Sequence, residues 1–319
     1  MTPGADTTTS AKARTATNDP LPWSCVTLRC GRRLAFTEYG DPQGHPVLLF
    51  HGTPGSRLDF AGWDAALRAH ALRGIAVDRP GCGGSTAARS RRLTGWPGDI
   101  AELAQALHLD RFTVLGASGG GPHALVCAWA LPALVDHAVL LCTAQPVGTP
   151  GYTDGMAAAN RAGMMVARFP LALRAIVRLQ RHVVLRAPLR VLRSLRDAVG
   201  PEDARHLPVV VTEQLRAEWR EAYRHGPEGV AQDALIHARP WGFDVSAVRP
   251  RVTLWHGDRD RLAPIAGARH LASRLRDARL HVLDDHGHLL DLYPGTLNRI
   301  LAATRDHTRP HERDAATVC

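Results

Sequence analysis

The segment Gly116-Ala117-Ser118-Gly119-Gly120 is the part of the sequence best suited to chemistry. It lies directly between an apolar run that predicts a strand and a run that predicts a helix. Flanking glycines permit a tight, strained turn, and such a turn lifts the serine hydroxyl above the sheet. The pattern therefore predicts that Ser118 is a nucleophile. The alternative is a glycine-rich turn that only packs a helix against a strand.

A serine hydroxyl is a poor nucleophile at neutral pH, so this hypothesis requires a base and an acid that orients the base. Both residue types occur later in the chain, each directly after a predicted strand: first the carboxylates Asp258 and Asp260, then the histidines His286 and His288. The ends of parallel strands meet at one edge of a sheet, where sites in open α/β sheets form. We therefore expect one carboxylate and one histidine to meet Ser118 at that edge.

The elements that would position these residues alternate along most of the chain. Short β-like runs occupy 26–28, 33–39, 46–50, 75–77, 112–115, 137–141, 252–255 and 280–283, and helical patterns occupy 60–72, 99–107, 122–131, 265–275 and 297–304. Strands that alternate with helices predict a mostly parallel sheet covered on both faces. The first two runs, joined through Cys30 and Gly31, predict an antiparallel hairpin at one edge.

Strand signals fade between about 146 and 240, where prolines interrupt helical patterns. We interpret 146–240 as a helical insertion into an α/β core made of 23–145 and 241–305. Residues 1–22 are polar and lack the apolar segment of a secretory signal, so they predict a disordered tail in a cytoplasmic protein. Residues 306–319 predict a flexible C-terminal tail.

The composition excludes several classes of protein. The 319 residues are 45% hydrophobic and 22% charged, which is typical of a globular protein and not of a disordered or fibrous one. The longest apolar stretch, 124–135, is far shorter than the roughly 20 residues of a membrane-spanning helix, so no integral membrane segment is expected. The six cysteines form no CxxC pair and predict free thiols.

The formal charge of +9 is concentrated in the insertion. Nine arginines and no acidic residue lie between Gly155 and Arg196, and the rest of the chain holds equal numbers of basic and acidic residues. No nucleic-acid-binding motif accompanies this charge, so no nucleic-acid partner is expected. Arg174, Arg178 and Arg181 repeat at helical spacing, which leaves three interpretations open: a solvated face, contact with an anionic substrate, or contact with anionic lipid.

The chain from about residue 23 to residue 304 resembles the α/β-hydrolase superfamily. Besides the serine turn, it carries His51-Gly52-Thr53-Pro54, which is similar to the HGxP segment of that family, and a segment at 78–85 similar to its D-x-x-G-x-G-x-S loop. The resemblance implies an α/β-hydrolase fold, with a mostly parallel eight-stranded sheet flanked by helices. It also implies a helical cap inserted after the sixth strand.

The resemblance distinguishes between the two carboxylates. In the family the acid lies in a G-x-x-D-x-x-x-P context, which Gly257, Asp260 and Pro264 match. Asp260 is therefore implied as the acid, and we interpret Asp258 as a carboxylate that stabilises the loop.

The same comparison distinguishes between the two histidines. The family's base commonly lies in a Gly-His pair before the last helix, and Gly287 with His288 forms such a pair. His288 is therefore implied as the base, and His286 as a loop histidine that hydrogen-bonds to the backbone.

Acyl transfer also needs hydrogen-bond donors for a developing oxyanion. The resemblance implies that these donors are the backbone N–H groups of Thr53 and Gly119. His51 is expected to anchor the loop that carries Thr53 and not to transfer protons.

Together these features predict a serine hydrolase that cleaves an ester, thioester or lactone of a small, partly apolar metabolite and needs no metal or organic cofactor. A serine in place of aspartate disfavours epoxide hydrolases and haloalkane dehalogenases. Leu289 stands where C–C bond hydrolases place tryptophan, and the turn lacks the tryptophan of proline iminopeptidases. A perhydrolase or a C–C hydrolase with the same triad, or a non-catalytic ligand-binding member of the fold, remains an alternative. A homodimer also stays open.

Overall fold

The computed structural model describes residues 14–16, 23–145 and 148–306, which form one sheet of nine strands. In chain order these are β1 (Arg14–Ala16), β2 (Trp23–Thr27), β3 (Arg33–Gly40), β4 (His45–Phe50), β5 (Leu72–Val77), β6 (Phe112–Ala117), β7 (Val135–Leu141), β8 (Arg251–Gly257) and β9 (Ala278–Leu283). Their spatial order is β1-β2-β3-β5-β4-β6-β7-β8-β9. The pairs β1–β2, β2–β3 and β3–β5 are antiparallel, and all other pairs are parallel.

All eight predicted strands occur, as β2 to β9, so the predicted fold class is confirmed. The predicted edge hairpin is confirmed as well, because β2 and β3 pair antiparallel. The three-residue strand β1 is an additional ninth strand beside β2. Strand β1 falls in the predicted tail 1–22, and the other residues of that tail lie outside the described residues. The predicted tail 306–319 also lies outside them beyond Asp306.

The helices are α1 (Asp64–Ala69), α2 (Trp96–Ala106), α3 (Gly121–Ala130), α4 (Ala158–Val166), α5 (Pro170–Arg186), α6 (Pro188–Val199), α7 (Pro201–Ala204), α8 (Glu213–Ala222), α9 (Glu228–His237), α10 (Ile265–Arg274) and α11 (Thr296–Asp306). The helix predicted at 60–72 is wrong in its bounds. A 3₁₀ turn occupies Arg57–Trp63, and α1 ends early because Ala71 adopts a φ of 50°, which turns the chain into β5.

Side chains that alternate along the strands fill two core layers, one on each face of the sheet. Leu48 packs in the layer that includes Ile100 of α2, whereas its neighbour Leu49 packs with Leu67 of α1 and Leu301 of α11. Because helices cover both faces, the strands are apolar on both sides, and chemistry is confined to the loops at the strand ends.

Helices α4 to α9 lie between β7 and β8, after the sixth of the eight predicted strands, where the sequence predicts the insertion 146–240. These helices have a small core of their own, which includes Val177 and Val230. Part of the arginine stripe pairs within the insertion, since Arg174 and Arg178 lie 3.7 and 3.9 Å from Glu228 of α9.

Two expectations from composition concern the cysteines and membrane-spanning helices. Five of the six cysteines lie among them, and all five are free thiols, as predicted. No helix in this part of the chain is long and apolar enough to cross a lipid bilayer.

Candidate active site

Ser118 lies in the turn between β6 and α3, half-buried at the end of the strand. Its φ of 51° is in the left-handed region, where a residue with a Cβ atom is strained. The turn is also very tight, because a Cβ atom on Gly116 would overlap the backbone of Gly120. The chain therefore adopts at Ser118 the strained conformation that the glycine spacing predicts.

Asp260 lies in the loop after β8, and both of its carboxylate oxygens have hydrogen-bond partners. Oδ1 accepts from the backbone N–H groups of Leu262 and Ala263 at 2.8 and 2.9 Å. Oδ2 lies 2.8 Å from His288 Nδ1 and 3.2 Å from His256 Nε2. Burial raises the pKa of this carboxyl, but the charge of His288 and the hydrogen bonds from both histidines outweigh it, so the pKa lies well below its usual range. Asp260 is thus a fixed, ionised acceptor.

His288 follows β9 and is oriented by Asp260. Its Nδ1–H group donates to the carboxylate, which leaves Nε2 of the neutral ring able to accept a proton. Burial lowers the pKa of the imidazole, whereas the charge of Asp260 and its hydrogen bond raise it. The net result is a pKa above the ordinary value for histidine. The structure therefore brings the predicted acid and the predicted base into direct contact, as a candidate acid–base pair.

The loop after β7 lies between Ser118 and the histidine loop. Ala144 donates its backbone N–H to Ser118 O at 3.0 Å, and the thiol of Cys142 lies 3.6 Å from Gly287 O. Within the described residues, Ser118 Oγ makes no hydrogen bond to His288 Nε2. Catalytic hydrogen bonds are often long without substrate and tighten in the complex, so a Ser118–His288 hydrogen bond is expected only with substrate bound.

Cys142, Asp260 and His288 present possible metal-ligand atoms within 4.8 Å of one another. Burial raises the pKa of the Cys142 thiol well above its ordinary range. The thiol lies 3.6 Å from Gly287 O, and the His288 Nδ1–H group donates to Asp260. Because these atoms have hydrogen-bond partners within the protein, we interpret the three residues as a hydrogen-bonded cluster.

His286 and Asp258, the alternatives to His288 and Asp260, have partners of their own. His286 donates from Nδ1 to Asp284 O at 2.7 Å, and its Nε2 accepts from the Thr296 hydroxyl at 3.2 Å. The carboxylate of Asp258 lies 3.4 Å from the neighbouring Arg259. Among the hydrogen bonds and ion pairs of the described residues, neither alternative contacts the acid–base pair.

His51 and Arg79 hold the loop after β4. The His51 Nδ1–H group donates to Gly52 O at 2.8 Å, and His51 Nε2 accepts from the Arg79 backbone N–H at 3.2 Å. Burial lowers the pKa of His51 well below its ordinary value, and the resulting neutral ring is the form that these two bonds require. The buried guanidinium of Arg79 donates to the carbonyl oxygens of His51 and Gly52. His51 thus anchors the loop, as its predicted role requires.

This anchoring also orients Thr53, one of the two predicted oxyanion donors. Because C=O and N–H point in opposite directions across a trans peptide, binding of Gly52 O by Arg79 turns the Thr53 N–H away from the guanidinium. A Cβ atom on Gly52 would lie 3.7 Å from Ser118 Cβ, and one on Gly119 would lie 2.5 Å from Thr53 Oγ1. The structure therefore brings Thr53 and Gly119 together beside Ser118.

The segment 78–85 joins the core to the insertion. Asp78 accepts from the backbone and the guanidinium of Arg57 at 2.7 Å each and from the Gly84 N–H at 2.8 Å. Arg57 also pairs with Glu221 of α8. These buried contacts agree with the structural role predicted for this segment.

Asp203 of α7 fixes the backbone of the histidine loop. Its fully buried carboxylate accepts from the N–H of His288 at 2.6 Å, from the N–H of Leu289 at 3.3 Å and from the Tyr293 hydroxyl at 2.9 Å. The insertion therefore contributes directly to the position of the candidate base.

Sequence reasoning missed Asp203, His256 and Arg79. A signal existed for His256, four residues before Asp260, and for Arg79, which follows Asp78 in a segment that resembles the family. Nothing local could identify Asp203, because it meets a loop 85 residues further along the chain.

Residues 45–292 match the family described as the alpha/beta hydrolase fold. The matched range is well over half of the chain. With the sheet order and the strained serine turn already established, this match is decisive. The chain belongs to the α/β-hydrolase family of enzymes.

Several known proteins are similar to parts of the chain. A non-heme chloroperoxidase of Streptomyces lividans is 34% identical over 131 residues, which are 40% of this chain and 48% of that protein. A putative proline iminopeptidase of Mycoplasma pneumoniae is 35% identical over 113 residues, 34% of this chain and 36% of that protein. The matches thus span between a third and a half of these relatives. The uncharacterized protein Mb2734 of Mycobacterium bovis is 25% identical over 297 residues, 90% of this chain and 82% of that protein.

Solved structures share the fold. An esterase from Exiguobacterium antarcticum has a TM-score of 0.66 at 21% identity and covers 88% of this chain and 98% of its own. A bromoperoxidase from Bacillus anthracis has a TM-score of 0.63 at 17% identity and covers 92% of this chain and 99% of its own. At such identities these similarities establish the fold alone.

Proposed function

We propose that the protein is a serine hydrolase that cleaves an ester, thioester or lactone of a small, partly apolar metabolite through an acyl-enzyme on Ser118. The observation that carries the proposal is the 2.8 Å hydrogen bond between Asp260 and His288, at the same sheet edge as the strained serine. An acid that orients a base beside a serine on a tight turn is the arrangement that activates a hydroxyl for acyl transfer.

In this mechanism His288 Nε2 takes the hydroxyl proton as Ser118 Oγ attacks the substrate carbonyl carbon. Asp260 holds the imidazole in position and stabilises its positive charge, and the N–H groups of Thr53 and Gly119 stabilise the oxyanion. The intermediate collapses as the bond from the carbonyl carbon to the leaving oxygen or sulfur breaks, and His288 gives its proton to the leaving group. The product alcohol or thiol departs, except in a lactone, where the alcohol stays attached to the acyl group. Water then attacks the acyl group with His288 again as base, which releases the acid and restores Ser118. No step requires a metal or an organic cofactor.

In this proposal the insertion acts as a cap over the site. It provides Asp203 to the histidine loop, and His237 of α9 lies 3.3 Å from Thr53 Oγ1. Loss of the insertion would therefore disturb both the base and one oxyanion donor. These contacts couple the cap to the residues that would carry out catalysis.

The pH dependence of ester hydrolysis tests the proposal. Because a neutral imidazole must accept the proton and the pKa of His288 is raised, kcat/KM for a p-nitrophenyl ester should increase with pH through an apparent pKa above about 6.5. The measurement is a series of initial rates from pH 5 to 9, with the acyl adduct detected by intact-protein mass spectrometry. Absence of turnover of a panel of short activated esters, or a rate that does not change over this range, would contradict the proposal.

Perhydrolysis is a second candidate, favoured by the similarity to the chloroperoxidase of Streptomyces lividans. Here hydrogen peroxide replaces water in the second half of the reaction and attacks the acyl group, which gives a peracid and restores Ser118. Hydrolysis of an acetate ester in the presence of peroxide distinguishes the two. Peracid as the main product supports the second candidate, and acetic acid supports the first.

Replacement of Asp203 with asparagine should lower kcat for the same ester by up to about 100-fold, because a small displacement of the base costs this much. An amide has one acceptor oxygen and an NH₂ group that cannot accept, so at least one buried donor loses its partner. Glu202→Gln, the neighbouring change on α7, is the matched control. If Asp203→Asn reduced only the free energy of unfolding and left kcat unchanged, the positioning role would be wrong.

A further inference from the structure

A groove with a volume of about 670 Å³ lies between the segment 90–94, the start of α5, and α9. This volume is within the roughly 300–1,000 Å³ range of small-molecule sites. Neither Ser118 nor His288 is among the residues that line it. The groove is therefore a separate feature from the candidate active site.

The groove is strongly basic. No acidic residue is among its described lining residues, and four arginines are: Arg91, Arg92, Arg174 and Arg239. Arg91 pairs with Asp233 at 2.7 Å, and Arg174 lies 3.7 Å from Glu228. For the other two arginines, no carboxylate of the described residues lies within 4 Å. The groove therefore has a surplus of two positive charges.

One of the four arginines, Arg91, is held rigidly. Its side chain is only 6% exposed, it donates to Pro80 O at 3.1 Å, and its partner Asp233 is fixed from the other side by Arg79 Nε at 2.8 Å. Arg91 is therefore a fixed part of the groove wall, and the exposed Arg92 and Arg239 are the arginines available to an anion.

Three buried polar atoms of the lining residues have no hydrogen-bond partner among the described residues: Trp241 Nε1, Gln232 Oε1 and Arg174 Nε. Trp241 is only 5% exposed. Unpaired buried polar groups are costly and therefore uncommon in native proteins. These three lie beneath the surface of the groove, and two of them are N–H donors.

Apolar side chains form the rest of the lining. Leu93, Leu235, Ile236 and the indole of Trp241 are all buried. These four side chains already pack in the hydrophobic cores beneath the groove. The apolar surface that the groove exposes belongs to Pro170 and Pro240, and an organic anion would cover it whereas a bare inorganic ion would not.

We propose that the groove is a binding site for a small organic anion, namely a carboxylate or a phosphate monoester on an apolar or aromatic body. Guanidinium groups bind both kinds of head group through paired, charge-assisted hydrogen bonds. The apolar residues hold the body of the ligand. The site is independent of turnover at Ser118.

Thermal unfolding of the full chain with phenyl phosphate tests this proposal, with benzyl alcohol as the neutral probe and inorganic phosphate as the probe without an apolar body. Phenyl phosphate should raise Tm of the wild type, because a ligand that binds the folded state stabilises it, and the other two probes should have much smaller effects. In Arg92→Gln/Arg239→Gln the affinity for phenyl phosphate should fall at least tenfold. Arg276→Gln/Arg279→Gln removes two exposed arginines outside the lining of the groove and should bind as the wild type does.

The proposal is overturned if phenyl phosphate leaves Tm of the wild type unchanged, or if inorganic phosphate or benzyl alcohol produces an equal increase. It is also overturned if the groove variant binds phenyl phosphate as tightly as the control variant. Both replaced arginines are exposed, so the variant should fold. If the double variant does not fold, Arg92→Gln and Arg239→Gln alone provide the same comparison.

Discussion

Ser118→Ala should lower the turnover of activated esters by about 10⁴- to 10⁶-fold and leave the fold intact. The oxyanion donors and the acid–base pair remain in this variant, but no hydroxyl is left to form the acyl-enzyme. The replacement should not destabilise the fold, because the Ser118 side chain is only half-buried and makes no hydrogen bond to His288 in the described structure. Steady-state rates with a p-nitrophenyl ester, together with Tm, measure both parts of the expectation.

Ser194→Ala is the control for this experiment, since Ser194 is an exposed serine on α6. It should have wild-type rates. Turnover by Ser118→Ala within tenfold of the wild type would remove Ser118 from the mechanism.

The second large effect is expected at the acid–base pair, for which the chain itself provides matched controls. His288→Ala should be nearly as damaging as loss of the serine, and Asp260→Asn should cost about 10⁴-fold, because an amide cannot stabilise the imidazolium or hold the required tautomer. His286→Ala and Asp258→Asn should each retain activity within about tenfold. The reason is that each control residue has partners of its own outside the pair.

The comparison of each candidate with its control, His288 with His286 and Asp260 with Asp258, decides which residues are the base and the acid. Values of kcat/KM for all four variants are measured on one ester, with Tm to exclude unfolding. If His286→Ala were more damaging than His288→Ala, or Asp258→Asn more damaging than Asp260→Asn, the triad would have to include the other residue.

Much of the fold was predictable because its signals are local. Each strand of the parallel sheet is a short apolar run, and its shortness distinguishes it from the longer helical patterns between the strands. The tight turn at Ser118 was predictable for the same reason, since its glycines are adjacent in sequence. The helix predicted at 60–72 failed because the apolar pattern does not show where a residue such as Ala71 leaves the helical conformation.

The supporting contacts of the candidate site were less predictable. Asp203 and Arg79 act through buried hydrogen bonds to distant segments, and no local pattern determines which donors a buried carboxylate or guanidinium will meet. The choice between Asp258 and Asp260 came from a family resemblance, and the structure adds a physical reason for it. Of these two aspartates, Asp260 alone has a carboxylate that is held by backbone N–H groups and directed at His288.

The central claim is that Ser118 is an activated nucleophile, and covalent labelling with a fluorophosphonate tests it most directly. The reagent reacts with a serine only when a base and an oxyanion site activate the hydroxyl. The wild-type protein should gain one adduct, which peptide mapping should locate at Ser118, and Ser118→Ala should gain none. An adduct on another residue, or no adduct on the folded wild-type protein, would contradict the account.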